Sequence, residues 1–95
     1  MTTRIQAIPT TQINNDRAIV TEWRFAPGTE TGWHTHGHDY IVVPMTHGML
    51  HLETPEGLKE FELVAGQSYT REAGVHHNVI NASQHEVIFV EIEIR

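Results

Sequence analysis

Hydrophobic and polar residues alternate with a period of two through most of this chain. In IVTEWRF, Ile19, Thr21, Trp23 and Phe25 fall on one side and Val20, Glu22 and Arg24 on the other. That is the pattern of a strand with one covered face. Pro27-Gly28 stops it. YIVVPMT, from Tyr40, is a β-branched run too short for a helix, and HGM at 47–49 reads as a turn. LHLE, from Leu50, alternates again and runs into TPEG, a hairpin turn over 54–57 with its proline early. LKEFELV sets Leu58, Glu60, Glu62 and Val64 against Lys59, Phe61 and Leu63, and leaves open which side turns inward. SYTRE, NVIN and EVIFVEIEI complete the series, with AGVHH and NASQH as the breaks between them. No window of helical length carries an apolar stripe. Strands that recur about every 8–12 residues between Gly, Pro and Asn turns predict an all-β sandwich or barrel.

The first 18 residues break the pattern. RIQAIP predicts a short edge strand ended by Pro9, and TTQINND reads as a polar turn. Residues 1–18 are therefore expected to form an N-terminal arm, an edge or swapped strand, ahead of a barrel domain over 19–95. VIFV at 87–90 is apolar on both faces, which predicts that one face meets a second copy in a homodimer.

At 95 residues the chain is one domain. A domain of this size buries only about two-thirds of its unfolded surface, so barrel closure, a metal or a second copy would each stabilise it. Formal charge is −6, and the basic residues Arg4, Arg17, Arg24, Lys59, Arg71 and Arg95 are scattered. A nucleic-acid partner needs a basic stripe, and there is none. The apolar runs are far shorter than the roughly 20 residues that span a bilayer, and no apolar leader opens the chain. The expectation is a cytoplasmic protein with no membrane partner. Absence of cysteine excludes disulfides and thiolate metal sites.

Histidine is the outlier, with 8 in the chain. Three stand in GWHTHGHDY, at 34, 36 and 38. Residues two apart on a strand share a face, so His34 and His36 can grip one divalent ion, for which imidazole is a good ligand. A further ligand has to come from another strand, and GVHHNVIN offers His76 and His77.

These stretches resemble a known family. Gly28, His34, His36, Tyr40 and Gly48 are similar to the first cupin motif. Gly66, Gly74, His77 and Asn81 are similar to the second, with Glu72 where that motif has proline. The resemblance covers residues 19–94 and implies a small antiparallel jelly-roll β-barrel. TEWRFAPG, TGWHTHGHDYIVVP, AGVHHNVINAS and FVEIEI look like a group of short bacterial cupins that carries the name beta-alanine degradation protein.

The resemblance implies a divalent transition metal (Fe, Zn, Ni, Mn and Cu are not distinguished) on His34, His36 and His77. The family's acidic ligand falls on Tyr40, which makes Tyr40 the candidate catalytic residue. Its phenol is read as a hydrogen-bond donor beside the ion rather than as a phenolate ligand; a plain barrel-lining aromatic is the third reading. With no carboxylate at that position the ion keeps its full charge, which would favour a small anionic ligand. His38 and Asp39 are assigned to the rim, His76 to the opposite face, His47, His51 and His85 to the surface, and Asn81 to the barrel's support. Arg71 reads as a solvated strand end. The implied function is a metal-dependent enzyme of oxygenase or Lewis-acid type acting on a small metabolite, in beta-alanine or amine catabolism. The alternative is a non-catalytic metabolite-binding or sensor cupin with a structural metal.

Overall fold

Alternation decides which side of each strand turns inward. The computed structural model describes residues 3–95, and its strands are β1 (Ile8–Asn14), β2 (Ala18–Phe25), β3 (His34–Thr35), β4 (Asp39–Pro44), β5 (Gly48–Thr54), β6 (Gly57–Leu63), β7 (Tyr69–Arg71), β8 (His76–Asn81) and β9 (Val87–Ile94). They form two sheets, ordered β1-β2-β9-β4-β7 and β3-β8-β5-β6. Every pairing between these strands is antiparallel. The two sheets face each other as a small jelly-roll barrel. Among the described residues no helix is long and apolar enough to cross a membrane.

Phe25, Tyr40, Val42, Leu50, Leu63, Val79, Val87 and Phe89 fill the space between the sheets. Each lies on the inward parity of its own strand. On β6 that parity is the Phe61–Leu63 side, which settles the strand whose pattern was ambiguous; Leu58, on the other side, is exposed. Gly48 begins β5 instead of sitting in a turn, since a Cβ there would come within 2.5 Å of Val87 Cγ2. Only glycine lets the strand pass this close to β9.

The N-terminal stretch forms an edge strand, one of the two forms expected of it, but with different bounds from RIQAIP. Residues 8–14, exposed throughout, form a full strand hydrogen-bonded along β2. The expected turn over Thr10–Asn14 is strand, and the reversal comes later, where Asn15 Oδ1 accepts from the backbone N–H of Arg17 and Ala18 at 2.9 and 3.0 Å. Pro9 does not end the strand. It sits opposite Trp23 at the sheet edge, where a missing N–H is tolerated. Before it, Ala7 is buried, and its N–H donates to Glu30 O at 2.8 Å.

The outer side of the five-stranded sheet carries an apolar stripe beside Glu22, Arg24 and Asp39. One row crosses four strands as Ile13, Val20, Ile92 and Ile41, and Val90 lies beside Val43 in the next.

Candidate metal centre

His34 and His77 are partners across the β3–β8 pair. That places the two side chains next to each other on one face, although they lie far apart in the chain. His36 falls just past the end of β3, and two backbone bonds hold it there. Its N–H donates to Val75 O at 2.9 Å, and Gly74 N–H donates to its carbonyl at 2.8 Å. Gly74 has φ 97°, a left-handed conformation that favours glycine. The second histidine is thus set by the bend that launches β8, not by strand parity alone.

The three rings meet edge to face. His36 Nε2 lies 3.0 Å from His34 Nε2 and 3.2 Å from His77 Nε2. Tautomers follow from the other ring nitrogens. His34 Nδ1 lies 2.8 Å from Gly32 O, so it carries the proton and donates. His36 Nδ1 faces Glu93 Oε1 at 3.5 Å and Glu91 Oε1 at 3.9 Å, which places its proton there too. Two bare Nε2 lone pairs then point at each other across 3.0 Å with no proton to share. A cation between them resolves the repulsion, and nitrogens bound at about 2.0–2.1 Å to one ion stand roughly 3 Å apart. The donor set therefore fits a divalent metal on His34, His36 and His77.

Burial keeps His36 and His77 neutral. His36 is lowered to about 4, by desolvation first and then by His34. His77 is lowered to about 3, again chiefly by desolvation, with His34 and His36 adding to it. Neutral imidazole is the form that binds metal.

Glu91 and Glu93 are the residues that the sequence reading missed. It expected no carboxylate at the Tyr40 position, and none stands there; these two lie outside the three-histidine set, facing His36 Nδ1. The carboxylates come from the last strand and stand behind His36, on its far nitrogen, where such a partner fixes the tautomer and strengthens the ligand. Glu91 is raised to about 7 by burial and then by Glu93. The signal was in the sequence: Glu91 and Glu93 share parity with Val87 and Phe89, so an inward Phe89 turns both carboxylates inward.

Tyr40 is buried and stacks on His36, with ring centroids 3.9 Å apart. Burial first, and Glu91 next, push its phenol well above its ordinary value, so the phenol stays protonated. His76 points out, bonded to Thr35 Oγ1 at 2.8 Å and packed against Trp33. Asp39 is exposed and accepts from Ala73 N–H at 2.9 Å. Arg71 lies over the rings of Tyr69 and Phe61, with its Cζ 4.6 and 5.2 Å from their centroids. Two spaces adjoin the histidines. An open groove of about 380 Å³ includes His34, His36, Trp23, Glu91 and Glu93 in its wall. An inner cavity of about 40 Å³ includes His77, Tyr40, Arg71 and Glu91, room for a water-sized guest.

These shifts predict how the metal-free fold answers pH. Unfolded, His36 and His77 take up protons near 6.5; folded, only near 4 and 3. Acid therefore favours the unfolded chain, by up to about 1.4 kcal/mol per pH unit for each ring. Glu91 acts oppositely, because its folded value near 7 lies above the unfolded 4.5. Between pH 6.5 and 4.5 two protons on the unfolded chain oppose one on the folded chain, so stability falls, and it falls faster below 4.5. Chelated protein should melt highest near pH 6.5 and progressively lower down to pH 4. A melting temperature that climbs between pH 6.5 and 5 would contradict it.

Comparison with known proteins agrees with this architecture. A family model described as a cupin domain matches residues 21–93. The beta-alanine degradation protein BauB of Pseudomonas aeruginosa is 67% identical over 95 residues, covering 100% of both chains. The crystal structure of a cupin domain from Bordetella pertussis Tohama I is 62% identical with a TM-score of 0.97, over 100% of this chain and 99% of that one. The polyketide cyclase RemF of Streptomyces resistomycificus, 18% identical with a TM-score of 0.73 over 96% of this chain and 68% of its own, shares the fold alone.

Proposed function

The chain belongs to the cupin family, and on that premise we propose that it is a metal-dependent enzyme acting on a small metabolite of beta-alanine or amine catabolism. The observation that carries the proposal is the convergence of three imidazole Nε2 atoms, with gaps of 3.0 and 3.2 Å, beside an open groove. The metabolite class rests on the 67% identity to BauB. A divalent ion held there would supply Lewis acidity or, with a redox-active metal, oxygenase chemistry.

The protein's own groups have separable tasks. His34, His36 and His77 hold the ion as neutral ligands. Glu93 and Glu91 orient His36 through Nδ1. Tyr40 covers one face of the His36 ring and keeps bulk water off it, and its protonated phenol is a donor rather than a base. Glu91 borders both the groove and the inner cavity, so it is placed to take a proton from a ligand in one and return it from the other.

The test is to load the purified protein anaerobically with Fe(II), Zn(II) or Ni(II), measure metal per chain, and screen small amines and acids while following oxygen uptake and product. One metal per chain with turnover of one substrate class is expected. Tight metal and ligand binding without turnover would favour the non-catalytic cupin, and failure to retain any metal would remove both readings.

A further inference from the structure

The structure corrects the reading of Arg71 as a solvated strand end. Arg71 stands opposite Tyr40 in the β4–β7 pair, and residues directly opposite share a face. Both side chains therefore take the inward side, and Arg71 is half-buried. Its guanidinium lies over the rings of Tyr69 and Phe61, a contact that holds the head in place. A guanidinium has five N–H donors, and Nη1 gives one to Thr70 O at 2.9 Å. Among the described residues no carboxylate pairs with it. The ion pairs of Arg4 and Arg24 take Glu30, Glu53, Glu22 and Glu86, while Glu91 and Glu93 turn to His36. A fixed guanidinium with free donors and no counter-ion suits a carboxylate, whose two oxygens match its planar fork.

The Tyr40 hydroxyl is an independent pointer to the same place. Tyr40 is 2% exposed. Among the described residues no hydrogen bond reaches its hydroxyl; Thr70 Oγ1 donates to its backbone carbonyl instead, at 3.0 Å. Buried hydroxyls ordinarily have a partner. No sealed side-chain polar atom is left unpaired among the described residues, so this hydroxyl opens onto space. The space that Tyr40 lines is the inner cavity of about 40 Å³, whose wall also includes Arg71 and His77. The cavity can be reached from outside the barrel. β7 ends one sheet, β6 ends the other, and no pairing joins them. An outer cleft of about 330 Å³ has Phe61 and Tyr69 in its wall, and Tyr69 lines the inner cavity as well. The guanidinium, stacked on both rings, stands between that cleft and His77.

We infer that Arg71 and the Tyr40 hydroxyl form a carboxylate seat inside the barrel, and that its ligand class is a short-chain carboxylic acid bound as the anion. The inner volume admits a carboxylate head and little more, so the rest of such a ligand would lie outside the seat. That the ligand is the substrate rests on the metal-enzyme reading above; that the cavity holds a carboxylate does not.

NMR titration of the metal-free full chain with acetate, and with acetamide as its neutral isostere, tests the seat. Acetate should bind at least about 10-fold tighter than acetamide, because its hydrogen bonds are charge-assisted. In Arg71→Gln that preference should shrink to about 2-fold or less. Arg71→Lys keeps the charge without the fork and should keep part of it. Tyr40→Phe deletes only the hydroxyl and should weaken acetate by about 5-fold or more. Circular dichroism checks that each variant is folded. Equal binding of acetate and acetamide by the wild type overturns the seat. So does an acetate affinity unchanged in folded Arg71→Gln or, where that variant does not fold, in Tyr40→Phe. Zinc uptake, measured separately on the same wild-type protein, keeps the two readings apart. An acetate preference that depends on Arg71 in a chain that takes up no zinc leaves the seat standing and removes the metal reading. One zinc per chain with acetate binding indifferent to Arg71 does the reverse.

Discussion

Replacing His77 with alanine is expected to lower metal affinity by more than about 100-fold and to leave the purified protein without stoichiometric metal. Loss of an outer partner of a ligand typically costs 10–100-fold, and a ligand itself should cost more. His77 is the one imidazole of the three contributed by β8, buried at 8% exposure, with Nε2 3.2 Å from that of His36. Without it, His34 and His36 make a two-nitrogen grip that any chelator can outcompete. Glu93→Gln supplies the calibration: it should weaken binding within the 10–100-fold range and no further. Elemental analysis after gel filtration, followed by competition with a chromophoric chelator, reads both. His77→Ala retaining one ion per chain at wild-type affinity would show that the ring is not a ligand. Circular dichroism guards against confusing an unfolded variant with an empty one.

Asn81→Ala should cost about 3 kcal/mol of stability, since it strands several buried groups that each cost roughly 1–3 kcal/mol when unpaired. Asn81 is 1% exposed. Its Nδ2 donates to Phe25 O at 3.0 Å and His85 O at 2.9 Å, and its Oδ1 accepts from Ser83 N–H at 2.8 Å. One side chain thus ties the end of β2, in one sheet, to the end of β8, in the other, and to the turn that leads into β9. At about 4–8 °C per kcal/mol for a domain of this size, the melting temperature should drop by roughly 12–24 °C. A drop under about 3 °C would mean that water or neighbouring groups satisfy these atoms without it. Because Asn81 makes no contact with His34, His36 or His77 among its hydrogen bonds, the folded fraction should still bind metal.

The parts of this structure that were legible in the sequence are those where one face is covered. Tyr40, Val42 and Pro44 alternate with Ile41 and Val43, and the barrel strands can be read from such runs. For β1 an edge strand was legible but its bounds were not, because a strand with every residue exposed has no reason to alternate; its extent is decided by pairing with β2. The histidine cluster was legible through motif and spacing, but the placement of His36 depends on the Gly74 bend, some forty residues further on. Glu91 and Glu93 illustrate a different limit. Their parity was readable, yet two glutamates among isoleucines look like a solvated face until Phe89 is known to point inward.

The position of β9 between β2 and β4 also governs the order of events during synthesis. His34 and His36 leave the ribosome early, and His77 follows much later. The strand that joins β2 to β4 comes last and brings Glu91 and Glu93 with it. Until it arrives, β2 and β4 have no shared neighbour, and the histidine cluster lacks the carboxylates behind His36. Closing such distant segments is the slow step of β-rich folding, on the order of milliseconds to seconds. A nascent chain therefore has no closed barrel around His34, His36 and His77 until its ninth strand pairs.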